Sequence, residues 1–139
     1  ASQRSGGSRL GDNFLEGSGD STRTNETRVP ASQIGASAKA SLFQAVARQL
    51  RPHWRPVDGA DREKLVSKIR FRLNPDGTLA GAPSLVGQRG ETEANRAQAP
   101  RHAENAIRAV QLAAPFDLPP EYYEAWKTVT VDFDWNLSR

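Results

Sequence analysis

No cysteine occurs anywhere in the 139 residues. That excludes a disulfide framework and any cysteine-ligated metal site, and it leaves the redox compartment open. The only histidines are His53 and His102, too few for zinc or copper, which require several convergent ligands. No stretch approaches the ~20 apolar residues of a membrane span, and none has the form of a signal peptide. Charge of one sign is scarce too, with 19 Lys and Arg against 16 Asp and Glu for a net charge of +3. Nucleic-acid binding calls for a denser basic stripe with interleaved aromatics.

Apolar residues are especially sparse at the start. Residues 1–36 are rich in Ser, Gly, Thr, Asn and Arg, and Phe14-Leu15 is their longest apolar feature. Arg4, Arg9, Arg23 and Arg28 balance Asp12, Glu16, Asp20 and Glu26. Such a stretch buries too little apolar surface to offset the entropy of ordering it, so it reads as a flexible linker, with Phe14-Leu15 as a candidate docking spot. The folded domain is expected over residues 37–139. The chain opens on Ala rather than Met, and the expectation is a longer protein, with any anchor or targeting segment upstream.

The clearest pattern lies in Lys64 to Leu85. Leu65, Ile69, Phe71 and Leu73 alternate with Lys68, Arg70 and Arg72, with the small Ser67 on the apolar side, as in a strand with one buried and one wet face. Asn74-Pro75-Asp76-Gly77 follows, with Asn opening a type I turn, Pro fixing φ, and Gly supplying a left-handed residue. A single hairpin register is expected, because a one-residue slip would bury Arg70 and Arg72. The second strand is placed at Thr78 to Val86, bulged or at the sheet edge because Gly81 and Pro83 interrupt it. Gly87-Gln88-Arg89-Gly90 reads as a closing loop rather than a phosphate cradle, since Glu91 and Glu93 behind it repel an anion.

Helical spacing appears twice. Leu42, Phe43, Val46 and Leu50 place an opening helix at about Ser37 to Leu50, stopped by Pro52. Trp54 is expected to close the core, with His53 half exposed beside it. A second helix covers roughly Thr92 to Ala113, as a short leading turn and a main helix from Pro100, or as one kinked helix. Its stripe of Ala103, Ala106, Ile107, Val110 and Ala113 suits close packing on a sheet. After Ala114-Pro115-Phe116-Asp117-Leu118-Pro119-Pro120, a short helix runs through Glu121 to Trp126. Trp126 and one of Tyr122 and Tyr123 are assigned to the core.

The last element, Thr128 to Trp135, sets Val129, Val131, Phe133 and Trp135 on one side and Thr130, Asp132 and Asp134 on the other. Two aspartates on a wet face raise the question of paired catalytic carboxylates. Cross-strand pairing with Arg70 and Arg72 is the simpler reading, and it makes this strand the neighbour of the first. The expected fold is α+β: a three-stranded antiparallel sheet of order 2-1-3, packed by an N-terminal helix and a long helix between strands 2 and 3. No nucleophile, base and orienting group assemble, so no catalytic residue, cofactor or metal is assigned. What remains is a backbone feature, the third strand as an open edge where a partner adds a strand. The candidate edge is Val129, Thr130, Val131, Asp132, Phe133 and Asp134, flanked by Tyr122, Tyr123 and Lys127.

At this point a family resemblance stands on the residues. Leu50-Arg51-Pro52-His53-Trp54 follows an opening helix, and Ile69-Arg70-Phe71-Arg72-Leu73-Asn74-Pro75-Asp76-Gly77-Thr78-Leu79 forms the strand and turn. Ala106 to Val110 then leads to Ala114-Pro115-Phe116 and Leu118-Pro119-Pro120, and Trp126-Lys127 precedes Val129-Thr130-Val131-Asp132-Phe133. Together these resemble the TolA/TonB C-terminal domain family over about Val46 to Asp134. The Tyr-Pro pair that TonB carries near the start is absent, which brings TolA closer. The cysteine pair common in TolA-like domains is absent too, a departure from the enterobacterial pattern.

The resemblance implies a non-enzymatic periplasmic tip, tethered to the inner membrane by an upstream span that couples to a proton-driven motor. Its implied partner is the N-terminal segment of TolB, bound by strand addition, in support of envelope integrity and cell division. Colicins and filamentous phage coat proteins exploit related tips. A TonB-type transducer would instead grip a segment of an outer-membrane receptor. A nucleic-acid module would use Lys68, Arg70 and Arg72 as a phosphate track, but no aromatic shares that face for base stacking. The tip is expected to be a monomer, with an edge able to self-pair in concentrated samples.

Overall fold

The computed structural model describes residues 28–139. The linker reading of residues 1–27 and the Phe14-Leu15 docking spot lie outside the described residues. Residues 28–35, read as linker, lie against the fold: Val29 N–H donates to the Glu121 carbonyl at 2.7 Å, the Arg28 guanidinium sits 4.6 Å from the centre of the Tyr123 ring, and Ile34 is buried.

Helix α1 spans Ala36–Leu50. Its Leu42, Val46 and Leu50, spaced by four, are buried because that spacing stacks them on one helix face. Arg51-Pro52-His53 tightens into a 3-10 turn, which swings Trp54 into the core at 2% exposure. There the Trp54 indole N–H donates to the Asp134 carbonyl at 2.9 Å, and its ring meets Phe133 edge-on at 5.1 Å. His53 is half-buried, as expected.

Strand β1 covers Val66–Arg72, with Ser67, Ile69 and Phe71 buried and Arg70 and Arg72 exposed. The turn forms as the residues dictate: Gly77 N–H donates to the Asn74 carbonyl at 2.8 Å, and Gly77 takes φ +88°. A side chain there is doubly excluded. A Cβ on Gly77 would overlap the Phe116 carbonyl oxygen, while Phe116 N–H donates to the Gly77 carbonyl at 2.8 Å.

Strand β2 spans Ser84–Arg89, not Thr78 to Val86, so Gly87, Gln88 and Arg89 belong to the strand rather than to a loop. Pro83 has no amide hydrogen to give a ladder, and regular pairing starts only after it. The hairpin also departs from one register. Leu73 bridges Leu79, Ala80 N–H donates to the Arg72 carbonyl, and yet Arg70 pairs with Ser84. Gly81, Ala82 and Pro83 absorb that slip, and a second bulge falls between the Ile69–Leu85 and Lys68–Gly87 pairs.

Helix α2 spans Ala99–Ala113 with Pro100 in its first turn, after a 3-10 turn at Arg96–Gln98. Pro costs nothing there, since the first helical N–H groups have no intrahelical acceptor. Ala103, Ala106, Ala109 and Val110 are buried, and small side chains let the helix lie close to the sheet. Helix α3, Tyr123–Trp126, leads into β3, Thr128–Phe133. The sheet order is β2-β1-β3 and both pairings are antiparallel. The helices cover one sheet face, where Ile69, Phe71, Val131 and Phe133 join Leu50, Trp54, Val110 and Trp126 in one cluster. The other face, with Arg70, Arg72 and Thr130, is open.

Candidate strand-acceptor edge

β1 is the central strand, so β2 and β3 are both edges. On β3 the register decides which backbone groups are free. It pairs Ser67 with Phe133, Ile69 with Val131 and Phe71 with Val129, and one step further Leu73 N–H donates to the Lys127 carbonyl at 2.9 Å. Antiparallel pairs alternate between bonded and non-bonded. Lys127, Val129, Val131 and Phe133 therefore bond to β1, and Thr128, Thr130 and Asp132 turn their N–H and C=O groups outward. The side chains of Val129, Val131 and Phe133 are buried and those of Thr128 and Thr130 exposed, so one edge carries both an anchored and a free set.

Beside this edge lies an apolar groove of about 200 Å³. Leu42, Phe43 and Val46 of α1, Ala125 and Trp126 of α3, and Val129 of β3 line it, with Lys39 at its border. Phe43, expected in the helix's core stripe, is 48% exposed. It sits one residue off the 42-46-50 line, which rotates it to the flank of the buried face. That offset was the sequence signal for the groove.

β2 is the poorer acceptor. Pro83 precedes it, a bulge interrupts it, and Gln88 is spent inward, donating to Ser67 Oγ at 3.0 Å and the Ala99 carbonyl at 2.8 Å. Irregular, Pro-flanked edges resist strand addition.

The predicted site residues divide. Val129 to Phe133 lie in the edge strand β3. Asp134 lies beyond β3, and its carboxylate accepts from Leu137 N–H at 2.9 Å, capping the final 3-10 turn Asn136–Ser138. Trp135 leaves the apolar face of the strand and lies half-buried under Arg62, 4.7 Å from ring centre to guanidinium. Tyr122 and Tyr123 are both half-buried. Tyr123 is fixed by donating its hydroxyl to the Leu73 carbonyl at 2.7 Å. Lys127 is exposed and pairs with Glu124 at 2.6 Å.

The cross-strand charge pairs also differ from expectation. The register sets Arg70 opposite Thr130 and Arg72 opposite Thr128. Arg70 Nε donates to Thr130 Oγ1 at 3.3 Å, while Asp132 pairs with Arg89 of β2 at 3.4 Å. Its other oxygen, Oδ1, is buried without a partner among the described residues.

A polar cluster went unread in the sequence. Ser67 and His102 are fully buried, with Ser67 Oγ 2.7 Å from His102 Nδ1, and the imidazole stands edge-on to Trp54 at 5.0 Å. Burial pushes the His102 pKa down to about 4, against a smaller opposing pull from Asp134. Its Nε2 has no hydrogen-bond partner among the described residues. The pair resembles a nucleophile and base in distance only, since neither group reaches solvent and substrate needs an accessible cleft. Among the described residues no group of three or more His, Asp or Glu is placed to hold a metal, and no helix is long and apolar enough to cross a membrane.

No known family model matches the chain, and no curated protein matches it.

Proposed function

We propose that the chain is a non-enzymatic protein-interaction module that captures an extended segment of a partner by strand addition to β3. The observation that carries this reading is the outward-facing backbone of Thr128, Thr130 and Asp132 beside the groove of Leu42, Phe43 and Val46. Backbone pairing provides the contact and the groove accepts alternate partner side chains. Each hydrogen bond contributes about 1 kcal/mol net, which suits a joint that is loaded and released.

The biological setting we propose follows the family resemblance. The module is the periplasmic tip of a TolA-like transducer, tethered to the inner membrane by a segment upstream, and its partner is the N-terminal segment of TolB. The joint then links an inner-membrane motor to the outer envelope during constriction and in maintaining envelope integrity. The α+β fold of order β2-β1-β3 is compatible with that setting. A TonB-type tip holding a receptor segment is the alternative, and it uses the same edge.

The test is an amide-resolved NMR titration of the 139-residue chain with the N-terminal peptide of TolB from the same organism. Shifts centred on Thr128 to Phe133 and on Phe43 support the reading. No movement at millimolar peptide removes TolB as the partner, and movement with an outer-membrane receptor segment instead selects the TonB-type alternative.

A further inference from the structure

The two faces of the β3 edge differ in chemistry, and that difference specifies the partner. A strand added to β3 lies about 4.8 Å further out and alternates its side chains between the faces. On the helix side its residues enter the groove of Leu42, Phe43, Val46 and Val129. On the open side they stand next to Thr128, Thr130 and Asp132. Arg70 already reaches β3, its Nε 3.3 Å from Thr130 Oγ1, so its guanidinium stands beside Thr130. Arg72 is opposite Thr128 and lines a polar recess of about 190 Å³ with Lys127 and Tyr123. Among the described residues no carboxylate lies within 4.0 Å of Arg70 or Arg72, whereas Asp132 is held by Arg89.

Resting on the strand-addition reading above, we infer that the partner is an extended segment in which apolar residues alternate with acidic ones. The acids face Thr128 and Thr130, where Arg70 and Arg72 await a countercharge. Opposite Asp132, next to a carboxylate already present, the partner carries a neutral or basic residue. Cross-strand neighbours of opposite charge stabilise pairing and like charges directly opposite oppose it. The pattern therefore fixes both which residues of a partner are read and which end of its strand lies toward Thr128.

Three nine-residue peptides test this against the 139-residue chain, each with Val at alternate positions, Gln at the intervening positions toward one end, to meet Asp132, and Glu, Gln or Lys at the other intervening positions. The expected order is Glu over Gln by about tenfold at low salt and Gln over Lys, with the Glu preference shrinking as ionic strength rises. Arg70→Gln and, separately, Arg72→Gln bring the Glu peptide down toward the Gln peptide. Binding must coincide with protection of the Thr130 and Asp132 amides. Equal affinity for all three peptides, with those amides protected, overturns the charge pattern and leaves strand addition standing. Glu-peptide binding without amide protection means simple attraction to a basic face and overturns the inference. If none of the peptides binds and no β3 amide responds, strand addition itself fails. A concentration-dependent dimer that protects the same amides without peptide makes a second copy the occupant and also overturns it.

Discussion

Lowering the pH should destabilise the fold through one group, His102, whose contribution can be isolated by substitution. The imidazole is fully buried on Ser67 and Trp54, and its pKa falls from 6.5 to about 4 because burial disfavours the cation, with Asp134 pulling weakly the other way. Above pH 6.5 the group is neutral in both folded and unfolded chains and costs nothing. As pH falls toward 4 the unfolded chain takes up a proton that the folded chain refuses, so stability is lost across that window. Below about 4 the loss levels off. The shift corresponds to roughly 3 kcal/mol in total, with a limiting slope of about 1.4 kcal/mol per pH unit. Carboxylates titrate in the same range, so the readout is a difference. Urea unfolding of the native chain and of His102→Gln would be followed from pH 7.5 to 4.5, and the native advantage should shrink steadily below pH 6.5. An advantage constant across that range would mean that His102 is solvated in the folded state, and the reasoning from burial would be wrong.

The backbone supplies sharper tests. Gly77→Ala and Gly90→Ala should each cost more than about 2 kcal/mol in urea unfolding, because both glycines have positive φ and an added Cβ would overlap the carbonyl oxygen of Phe116 or of Lys64. Thr130→Pro removes an N–H that faces outward and should leave the chain folded while abolishing partner binding. Val131→Pro removes one that bonds β1 and should cost about 3 kcal/mol or more; equal melting temperatures for the two variants would contradict the edge parity. Phe43→Ala, at a side chain 48% exposed, should shift stability by less than about 0.5 kcal/mol while weakening peptide affinity severalfold by calorimetry.

Strong periodicities made most of the fold legible. The alternation of Ile69, Phe71 and Leu73 with Arg70 and Arg72, and of Val129, Val131 and Phe133 with Thr130 and Asp132, fixed the central strand and its neighbour. The 42-46-50 spacing placed the first helix to within a residue. Of the two readings of the second, over roughly Thr92 to Ala113, the leading turn with a main helix from Pro100 is the one that forms, and one kinked helix is not. Strand β2 was misplaced because Gly81 and Pro83 were read as interruptions within a strand, whereas the slip they absorb postpones pairing to Ser84. The candidate edge was legible as a strand, since its wet and dry faces alternate. Its groove was legible only as the offset of Phe43 from the 42-46-50 line, because the cleft itself depends on how α1, α3 and β3 come together. Local patterns also could not reveal Asn95, which is buried and donates to the carbonyls of Asp61 and Gly90 at 2.9 and 3.1 Å. Such long-range polar contacts leave no periodic trace. Asp134 was read as a continuation of the alternation, but Leu137 packs into the core and draws the chain into a turn that Asp134 caps.

Hydrogen exchange at single amides of β3 tests the central claim most directly. In the dilute free chain, the amides of Val129, Val131 and Phe133 should be protected by β1, and those of Thr130 and Asp132 should exchange at rates near those of an unstructured peptide. A saturating peptide of the proposed partner should protect the second pair and leave the first unchanged. Protection of Thr130 and Asp132 in the dilute free chain, or none gained in a saturated complex, would contradict an open edge that accepts a strand.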